Sequence, residues 1–188
     1  MGQVFCVLIP ITIITIALPK VAAGNNRMVK YNKWVIWCVF LAYCLGNLYF
    51  TLLTRQPGTE FSTELTPFRS YSRLFEPFYK GVNYPSSFVK AFLYNVPPFA
   101  SIILNILLYY PLGYLLPILF PKIKPKHVIL IGCLCSIATE ATQYLLKMGW
   151  CETDDVIHNT LGTAIGVWVW HLQSKRLNKP QTNELPKD

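Results

Sequence analysis

The stretch Ala91–Pro121, AFLYNVPPFASIILNILLYYPLGYLLPILFP, contains no charged side chain over 31 residues. A helix crosses the hydrocarbon core of a bilayer with about 20 apolar residues, so we expect the membrane part of this stretch at about Pro98–Phe120. Only 14% of the 188 residues are charged, whereas a soluble domain carries about 25%. The stretch therefore predicts an all-α protein, a polytopic transmembrane helical bundle, rather than a soluble globular domain.

Four other blocks are also almost free of charge, and Glu140 is the one charged residue inside them. They are Met1–Pro19, Trp34–Leu53, His127–Leu146 and Val156–Ser174. Together with the first stretch, they predict about five membrane-spanning helices. Three interpretations of Met1–Pro19 stay open: a helix with its N-terminus outside, which we favour, a signal peptide, and a segment upstream of a translation start at Met28. A signal peptide is disfavoured because no basic residue precedes the block.

The basic residues predict the orientation of the spans, because loops rich in Lys and Arg stay in the cytoplasm. Three clusters separate or flank the spans: Arg27, Lys30 and Lys33; Lys122, Lys124 and Lys126; Lys175, Arg176 and Lys179. If all three are cytoplasmic, residues 54–97 and 147–155 form external loops and the C-terminus is cytoplasmic. This distribution explains the net charge of +8 without nucleic acid as a partner. We expect a multi-pass protein of the cell membrane, with membrane lipids as its partners.

The predicted external segment, residues 54–97, is rich in aromatic residues, interleaved with Arg69, Arg73, Lys80 and Lys90. Aromatic side chains are enriched at the headgroup level of a bilayer, so the segment is expected to be an external interfacial aromatic element. We favour a simple aromatic belt. The alternative is that the segment forms one wall of a cleft in which arginine binds the anionic group of an amphiphile.

Polar residues in three of the predicted spans form the candidate site. They are Asn105, Glu140, Gln143, Asp155 and Asn159. A helical rise of about 1.5 Å per residue places them at one depth, in the outer third of the bilayer. Inserting a charged residue costs about 2.5–3.5 kcal/mol, and a hydrogen bond between helices contributes only about 0.6–2 kcal/mol. We therefore favour a ligand-binding polar cleft over a purely structural network.

Two glycines of the last span are predicted to be helix-packing positions. Gly162 and Gly166 lie one turn apart, on the face that also carries Asp155 and Asn159. A GxxxG step of this kind allows helices to approach closely. The step would therefore bring the polar face of the last span against a neighbouring helix.

An external acidic turn contains Glu152, Asp154 and Asp155, next to Cys151, which is expected to be exposed to solvent. Three carboxylates in four residues are oxygen ligands of the kind that divalent cations take. Asp also favours the N-terminal cap of a helix, and an acidic turn can simply be solvated. We favour these last two interpretations and predict no metal and no other cofactor, since no complete ligand set is visible.

Four linked motifs resemble the VanZ-like family of membrane proteins. They are Leu65-Thr-Pro-Phe68, Asn105-Ile-Leu-Leu-Tyr-Tyr-Pro111-Leu-Gly113, Glu140-Ala-Thr-Gln143 and Glu152-Thr-Asp-Asp155-Val-Ile-His-Asn159-Thr-Leu-Gly162. Between about Arg55 and Leu172 they keep the order and spacing of the family's L-x-P-F, N-x-x-x-F-x-P-x-G, E-x-x-Q and D-x-x-D-x-x-x-N-T-x-G elements. Glu152 replaces the more usual Asp, and a tyrosine stands where Phe is common.

The resemblance implies a membrane protein of the bacterial cell envelope. The family is named for an accessory protein associated with resistance to the glycopeptide antibiotic teicoplanin, and the resemblance implies no particular reaction. We divide the chain into an N-terminal hydrophobic segment with a basic cytoplasmic link, residues 1–33, a VanZ-like transmembrane domain, residues 34–172, and a polar cytoplasmic tail, residues 173–188.

Three functional hypotheses follow, and none of them predicts an oligomeric state. The first, which we favour, is a protein that binds or remodels an outer-leaflet amphiphile in the polar cleft, such as a lipid-linked cell-wall precursor or a lipoglycopeptide. The second is a membrane enzyme acting on such a lipid, with Glu140 as general acid or base and a metal held by Glu152, Asp154 and Asp155. No nucleophile for it is apparent. The third is a small permease, for which no inverted repeat is visible.

Overall fold

A computed structural model describes residues 33–58, 61–73 and 88–177, apart from the side chains of residues 33, 88–98, 176 and 177. The described helices are α1 (Lys33–Leu48, continued by a π-helix at Tyr49–Leu53), α2 (Phe88–Leu119), α3 (Pro125–Leu145) and α4 (Thr153–Leu177). Two short strands, β1 (Phe61–Glu64) and β2 (Gly149–Glu152), lie between them in the chain. This part of the protein is thus mostly helical, as predicted.

Three segments of these helices are long and apolar enough to cross a membrane. They are Trp34–Leu53, Phe99–Leu119 and Pro125–Leu145. Their ends fall within two residues of the blocks expected from the sequence, because both follow the apolar stretches of the chain. Helix α2 begins earlier than its apolar block, at Phe88, since a helix needs an apolar surface only where it meets lipid.

The predicted number of five spans is not confirmed. The block Val156–Ser174 is helical within α4, but α4 is not among the three apolar segments of the described chain. Polar positions such as His158 and Asn159 lower its mean hydropathy. The block Met1–Pro19 lies outside the described residues.

Helix α3 is polar inside the bundle and apolar outside it. Its buried stripe contains Ser136, Glu140 and Gln143, which are 0%, 7% and 2% exposed. Its outward positions include Leu130 and Leu134, which are 53% and 55% exposed. Proteins that fold in water mostly bury Leu and expose Glu and Gln. The reversed pattern indicates that lipid surrounds this helix.

Helices α2 and α4 form the most extensive contact of the described bundle. A Cβ at Gly162 would collide with the carbonyl oxygen of Ile106, and a Cβ at Gly166 would collide with that of Tyr110. Small residues allow two helix backbones to approach this closely. The helix that packs against the two glycines is therefore α2, and this contact brings the start of α4 beside Asn105.

The two strands form a small parallel sheet at one end of the bundle. Phe61 pairs with Gly149 and Glu64 pairs with Glu152. Each strand belongs to one of the loops predicted to be external, so the structure places these described parts of the two loops at the same end. The lysines between α2 and α3 are exposed at the other end of α3. The expected turn at residues 147–155 is therefore a strand followed by the first residues of α4.

The segment 61–73, called here the docked segment, is held on the start of α4 by polar contacts. The two carboxylate oxygens of Asp154 accept hydrogen bonds from the backbone nitrogens of Phe68 at 2.5 Å and Ser70 at 2.6 Å. The hydroxyl of Tyr71 lies 3.1 Å from Nε2 of His158. The docked segment is thus anchored to the bundle, while its aromatic residues Phe61 and Phe68 stay exposed. Residues 74–87 of the aromatic segment lie outside the described chain.

Ion pairs engage both arginines of the docked segment. Arg73 lies 2.9 Å from the carboxylate of Glu152 and 3.4 Å from that of Glu64, and Arg69 lies 3.6 Å from Glu64. Arg73 also lies over the ring of Trp150 at 5.9 Å. These contacts pair both guanidinium groups with carboxylates of the protein, and the alternative that they bind an anionic amphiphile stays a hypothesis.

Two expectations for the acidic turn are wrong. Cys151 is buried, because it lies in the middle of β2, opposite Thr63 of β1, while its neighbour Trp150 faces outward. Asp154 is also buried, at 2% exposed, since it caps the backbone of the docked segment. The acidic composition suggested a solvated turn. The backbone N–H groups that bond Asp154, and the strand that pairs with Cys151, instead come from a distant part of the chain.

Candidate ligand-binding pocket

A cavity of about 190 Å³ lies where residues of α1, α2, α3 and α4 meet. All five residues predicted for the polar cleft line it: Asn105, Glu140, Gln143, Asp155 and Asn159. The structure therefore brings together polar side chains that are up to 54 positions apart in the sequence. Their role in binding a ligand stays a prediction.

The Glu140 carboxylate is held by the sheet at the end of the bundle. Its Oε2 accepts a hydrogen bond from the backbone nitrogen of Glu152 at 3.0 Å. Glu152 ends β2, so the pairing of the two strands sets the position of this donor. A carboxylate accepts several hydrogen bonds, and Glu140 thus keeps further accepting capacity on the side of the pocket.

Asp155 faces the pocket and is bonded to α2. Nδ2 of Asn105 donates a hydrogen bond to Oδ1 of Asp155 at 2.5 Å. Asp154, the residue before Asp155, points instead to the docked segment, because the side chains of successive helical residues diverge by about 100°. This divergence explains why two adjacent aspartates have different roles in the structure.

The three carboxylates of the acidic turn do not share a cation. Glu152 pairs with Arg73, Asp154 accepts two backbone N–H groups, and Asp155 accepts the Asn105 amide. Across the described residues, no group of three His, Cys, Asp or Glu side chains is arranged to hold a metal ion. The hypothesis of a metalloenzyme centred on this turn therefore finds no support in the geometry.

Two buried amides that line the pocket each have a carbonyl oxygen without a hydrogen-bond partner among the described residues. Nε2 of Gln143 donates to the backbone oxygen of Thr51 at 3.0 Å, and Nδ2 of Asn159 donates to Oγ of Ser136 at 2.8 Å. Oε1 of Gln143 and Oδ1 of Asn159 are buried and unpaired. Leaving a buried acceptor unpaired costs about 1–3 kcal/mol. Both oxygens are therefore unmet acceptors in residues that line the pocket.

Arg55 is a pocket residue that the site prediction missed. It lines the cavity together with Phe50 and Thr51 of the π-helical turn that ends α1. Its guanidinium lies against Gly149, where a Cβ would collide with Nη1, and Gly149 has a positive φ of 70°. The one sequence signal was that Arg55 is the first cation after an uncharged block.

The remaining lining residues carried no usable signal in the sequence. They are Ser101, Leu104, Leu108 and Thr139. Serine and threonine are common in membrane helices because their hydroxyls bond to a carbonyl one turn back, as Thr139 does to Cys135 at 3.1 Å. Leucine is expected at any apolar position, so neither type marks a site.

Comparisons with known proteins agree with the four motifs. The chain is 28% identical over 89 residues to Protein VanZ of Enterococcus faecium, a match that covers 46% of this chain and 54% of that protein. The aligned region thus spans about half the length of this curated relative. No solved structure matches the chain. The family model described as VanZ/LLP1 matches residues 37–174, which include every described helix apart from the ends of α1 and α4. The chain therefore belongs to the VanZ/LLP1 family.

Proposed function

We propose that the protein is a multi-pass protein of the bacterial cell membrane that binds an outer-leaflet amphiphile in the pocket, and that this binding contributes to resistance against teicoplanin-type glycopeptides. The observation that carries the proposal is the gathering of Asn105, Glu140, Gln143, Asp155 and Asn159 around one cavity. Polar side chains inside a membrane bundle are rare and commonly mark a functional site.

The size of the cavity favours the head group of an amphiphile as the part that binds. Pockets for drug-sized molecules have volumes of about 300–1,000 Å³, and this cavity has about 190 Å³. A complete lipoglycopeptide does not fit such a volume, whereas a small polar head does. Phe50, Leu104 and Leu108 supply apolar lining on which the adjoining chain can pack.

The proposed orientation puts the pocket near the external face. The short link between α2 and α3 gathers Lys122, Lys124 and Lys126, which lie exposed at the end of the bundle opposite the β1–β2 sheet. The positive-inside rule then places the sheet outside and the lysines inside. In this orientation the predicted fifth span, Val156–Ser174, returns the chain to the cytoplasm.

The proposal is tested by expressing the protein in a teicoplanin-susceptible bacterium. The wild type should raise the minimal inhibitory concentration of teicoplanin, and Glu140→Gln should remove the increase while membrane accumulation stays the same. Ile137→Ala is the matched control, because Ile137 lies on the exposed face of α3, close to Glu140 in the chain. This control should retain the wild-type increase.

A second readout addresses binding directly. Lipids extracted from the purified wild type should include a species that is depleted from Glu140→Gln and retained by Ile137→Ala. Full resistance in Glu140→Gln, or a loss that follows the amount of protein in every variant, would contradict the proposal, because either result makes the polar cluster structural only.

A further inference from the structure

The lining of the pocket contains more acidic and hydrogen-bond-accepting groups than basic ones. Among the described residues of its lining, Glu140 and Asp155 are acidic and Arg55 alone is basic. Within the described chain, no ion pair joins Arg55 to either carboxylate. Hydrogen-bond acceptors are also in excess over donors, because Oε1 of Gln143 and Oδ1 of Asn159 have no donor among the described residues.

The orientation of the Gln143 amide follows from its partner. The backbone oxygen of Thr51 can only accept a hydrogen bond, so the Gln143 atom that faces it at 3.0 Å must be the nitrogen. The other end of the amide is then a carbonyl oxygen. The unpaired acceptor on Gln143 is therefore a consequence of its neighbours.

We propose that the pocket recognises the primary ammonium group of a membrane amphiphile, with Glu140 and Asp155 as its counter-charges and the Gln143 and Asn159 carbonyl oxygens as acceptors of its N–H groups. This inference rests on the proposed function and specifies the ligand of the same site. A primary ammonium offers three N–H donors and one positive charge. It can therefore pair with the acidic groups and donate hydrogen bonds to the unpaired oxygens at the same time.

Other ligand classes satisfy only part of this requirement. An anionic head group would find one arginine and two carboxylates, and Arg69 and Arg73 are already engaged by Glu64 and Glu152. A trimethylammonium group has the charge but no N–H donor. Arg55 fits a zwitterionic head, since its guanidinium can bind a phosphate that lies next to the ammonium.

The apolar lining supports an amphiphile as the carrier of the ammonium. Phe50, Leu104 and Leu108 line the same cavity as the polar groups. Leu53 and Ile103, near these residues in the chain, are exposed on the outside of the bundle. Acyl chains attached to a bound head group can continue along this apolar surface into the bilayer.

The test uses native mass spectrometry of the purified full chain in detergent. The probes are phosphatidylethanolamine, phosphatidylcholine and phosphatidylglycerol with identical acyl chains, added in equal amounts. Phosphatidylethanolamine should be retained in about tenfold preference over phosphatidylcholine, the ratio that corresponds to about 1.4 kcal/mol. Free phosphoethanolamine, added in a separate sample, should compete only weakly because it lacks the acyl chains.

Variants of pocket residues test whether the preference for phosphatidylethanolamine arises in the pocket. Gln143→Met removes an unpaired acceptor, and Asp155→Asn removes a counter-charge with almost no change of shape. Each variant should retain phosphatidylethanolamine and phosphatidylcholine in nearly equal amounts. Gln173→Met is the matched control for Gln143→Met, because Gln173 accepts a hydrogen bond from Tyr114 near the other end of α4. If Gln143→Met fails to fold, Asp155→Asn alone decides the assignment.

The outcomes separate the inference from the proposed function. Equal retention of phosphatidylethanolamine and phosphatidylcholine overturns the ammonium inference, and so does a preference for phosphatidylglycerol that Asp155→Asn alters. In the second case, the proposed function, binding of an amphiphile in the pocket, is still supported. Complete displacement of the lipid by free phosphoethanolamine overturns the role of the acyl chains. If no lipid depends on any pocket residue, both proposals fail.

Discussion

The backbone nitrogen of Glu152 lies 3.0 Å from Oε2 of Glu140, so the strand β2 and the buried carboxylate of α3 are directly hydrogen-bonded. The same residue, Glu152, binds Arg73 of the docked segment through its side chain at 2.9 Å. One residue thus connects the pocket, the sheet and the docked segment. A change in the position of the docked segment is therefore expected to move a donor that holds the pocket carboxylate.

We predict that Glu140→Gln and Asn159→Leu are not additive in the teicoplanin assay. Both residues line one cavity, and residues that act as a unit lose their shared function once either is changed. Each single variant should lose the increase in inhibitory concentration, and the double variant should be no worse. The measurement is the inhibitory concentration at matched membrane accumulation. A double variant that loses clearly more than either single variant would show that the residues act separately.

We predict that Asp154→Asn destabilises the docked segment. The carboxylate accepts two backbone hydrogen bonds, and an amide offers one acceptor and brings an N–H group toward a donor. Hydrogen bonds to charged groups contribute about 1.5–3 kcal/mol each, so the loss is on the order of 3 kcal/mol. Limited proteolysis should cut within residues 61–73 faster than in the wild type. Asp155→Asn is the control, and equal cleavage of both variants would contradict the prediction.

We predict that Gly162→Val prevents the α2–α4 contact from forming. A Cβ at this position collides with the Ile106 backbone, and backbone cannot move aside as a flexible side chain can. Overpacking costs about 1–3 kcal/mol in ordinary cores, and we expect at least the upper value here. The variant should elute as an aggregate or unfold at lower temperature in detergent. Leu161→Val, next to it on the exposed face, should behave like the wild type.

We predict that Cys151 reacts slowly with a membrane-impermeant maleimide on intact cells. The thiol is buried, and burial together with the nearby Glu140 carboxylate raises its pKa above the ordinary cysteine value. Less thiolate is then present at neutral pH, and the thiolate is the reactive form. Labelling should increase as the pH rises toward the raised pKa and should become fast after denaturation.

The matched positive control for Cys151 also tests the orientation of the protein. Trp150→Cys, in a background with Cys151→Ser, places a thiol at a position that is 53% exposed in the structure. It should be labelled rapidly on intact cells if β2 lies outside. Labelling of this cysteine only after lysis would place the sheet in the cytoplasm and reverse the proposed topology.

The apolar helices were predictable from the sequence because lipid imposes a simple requirement. Trp34–Leu53 lacks any charge, and its limits in the structure match those of the sequence block. The five polar cleft residues were predictable for the same reason, since a polar group in such a block needs an explanation. The helix α4 was harder to assign to the membrane, because its polar and glycine residues serve contacts with α2 and the pocket.

The sheet and the docked segment were not predictable from local sequence. β1 and β2 have four residues each, which is too short for a clear alternation of apolar and polar residues. Their pairing joins residues that are remote in the chain, such as Phe61 and Gly149. Next to the sheet, the hydroxyl of Thr153 bonds to the backbone oxygen of Leu65 at 3.1 Å across 88 positions. The burial of Cys151 and Asp154 follows from these remote contacts, which explains why a solvated turn was the wrong expectation.

The separation of β1 from β2 along the chain sets an order of assembly during synthesis. The first strand leaves the ribosome long before its partner, and Asp155 and Asn159 follow later still. Contacts between distant parts of a chain form late because closing the long loop between them has an entropic cost. Until α4 is in place, Glu140 lacks the walls of the pocket that Asp155 and Asn159 supply. A nascent chain halted before α4 would therefore present Glu140 on an incompletely enclosed helix face.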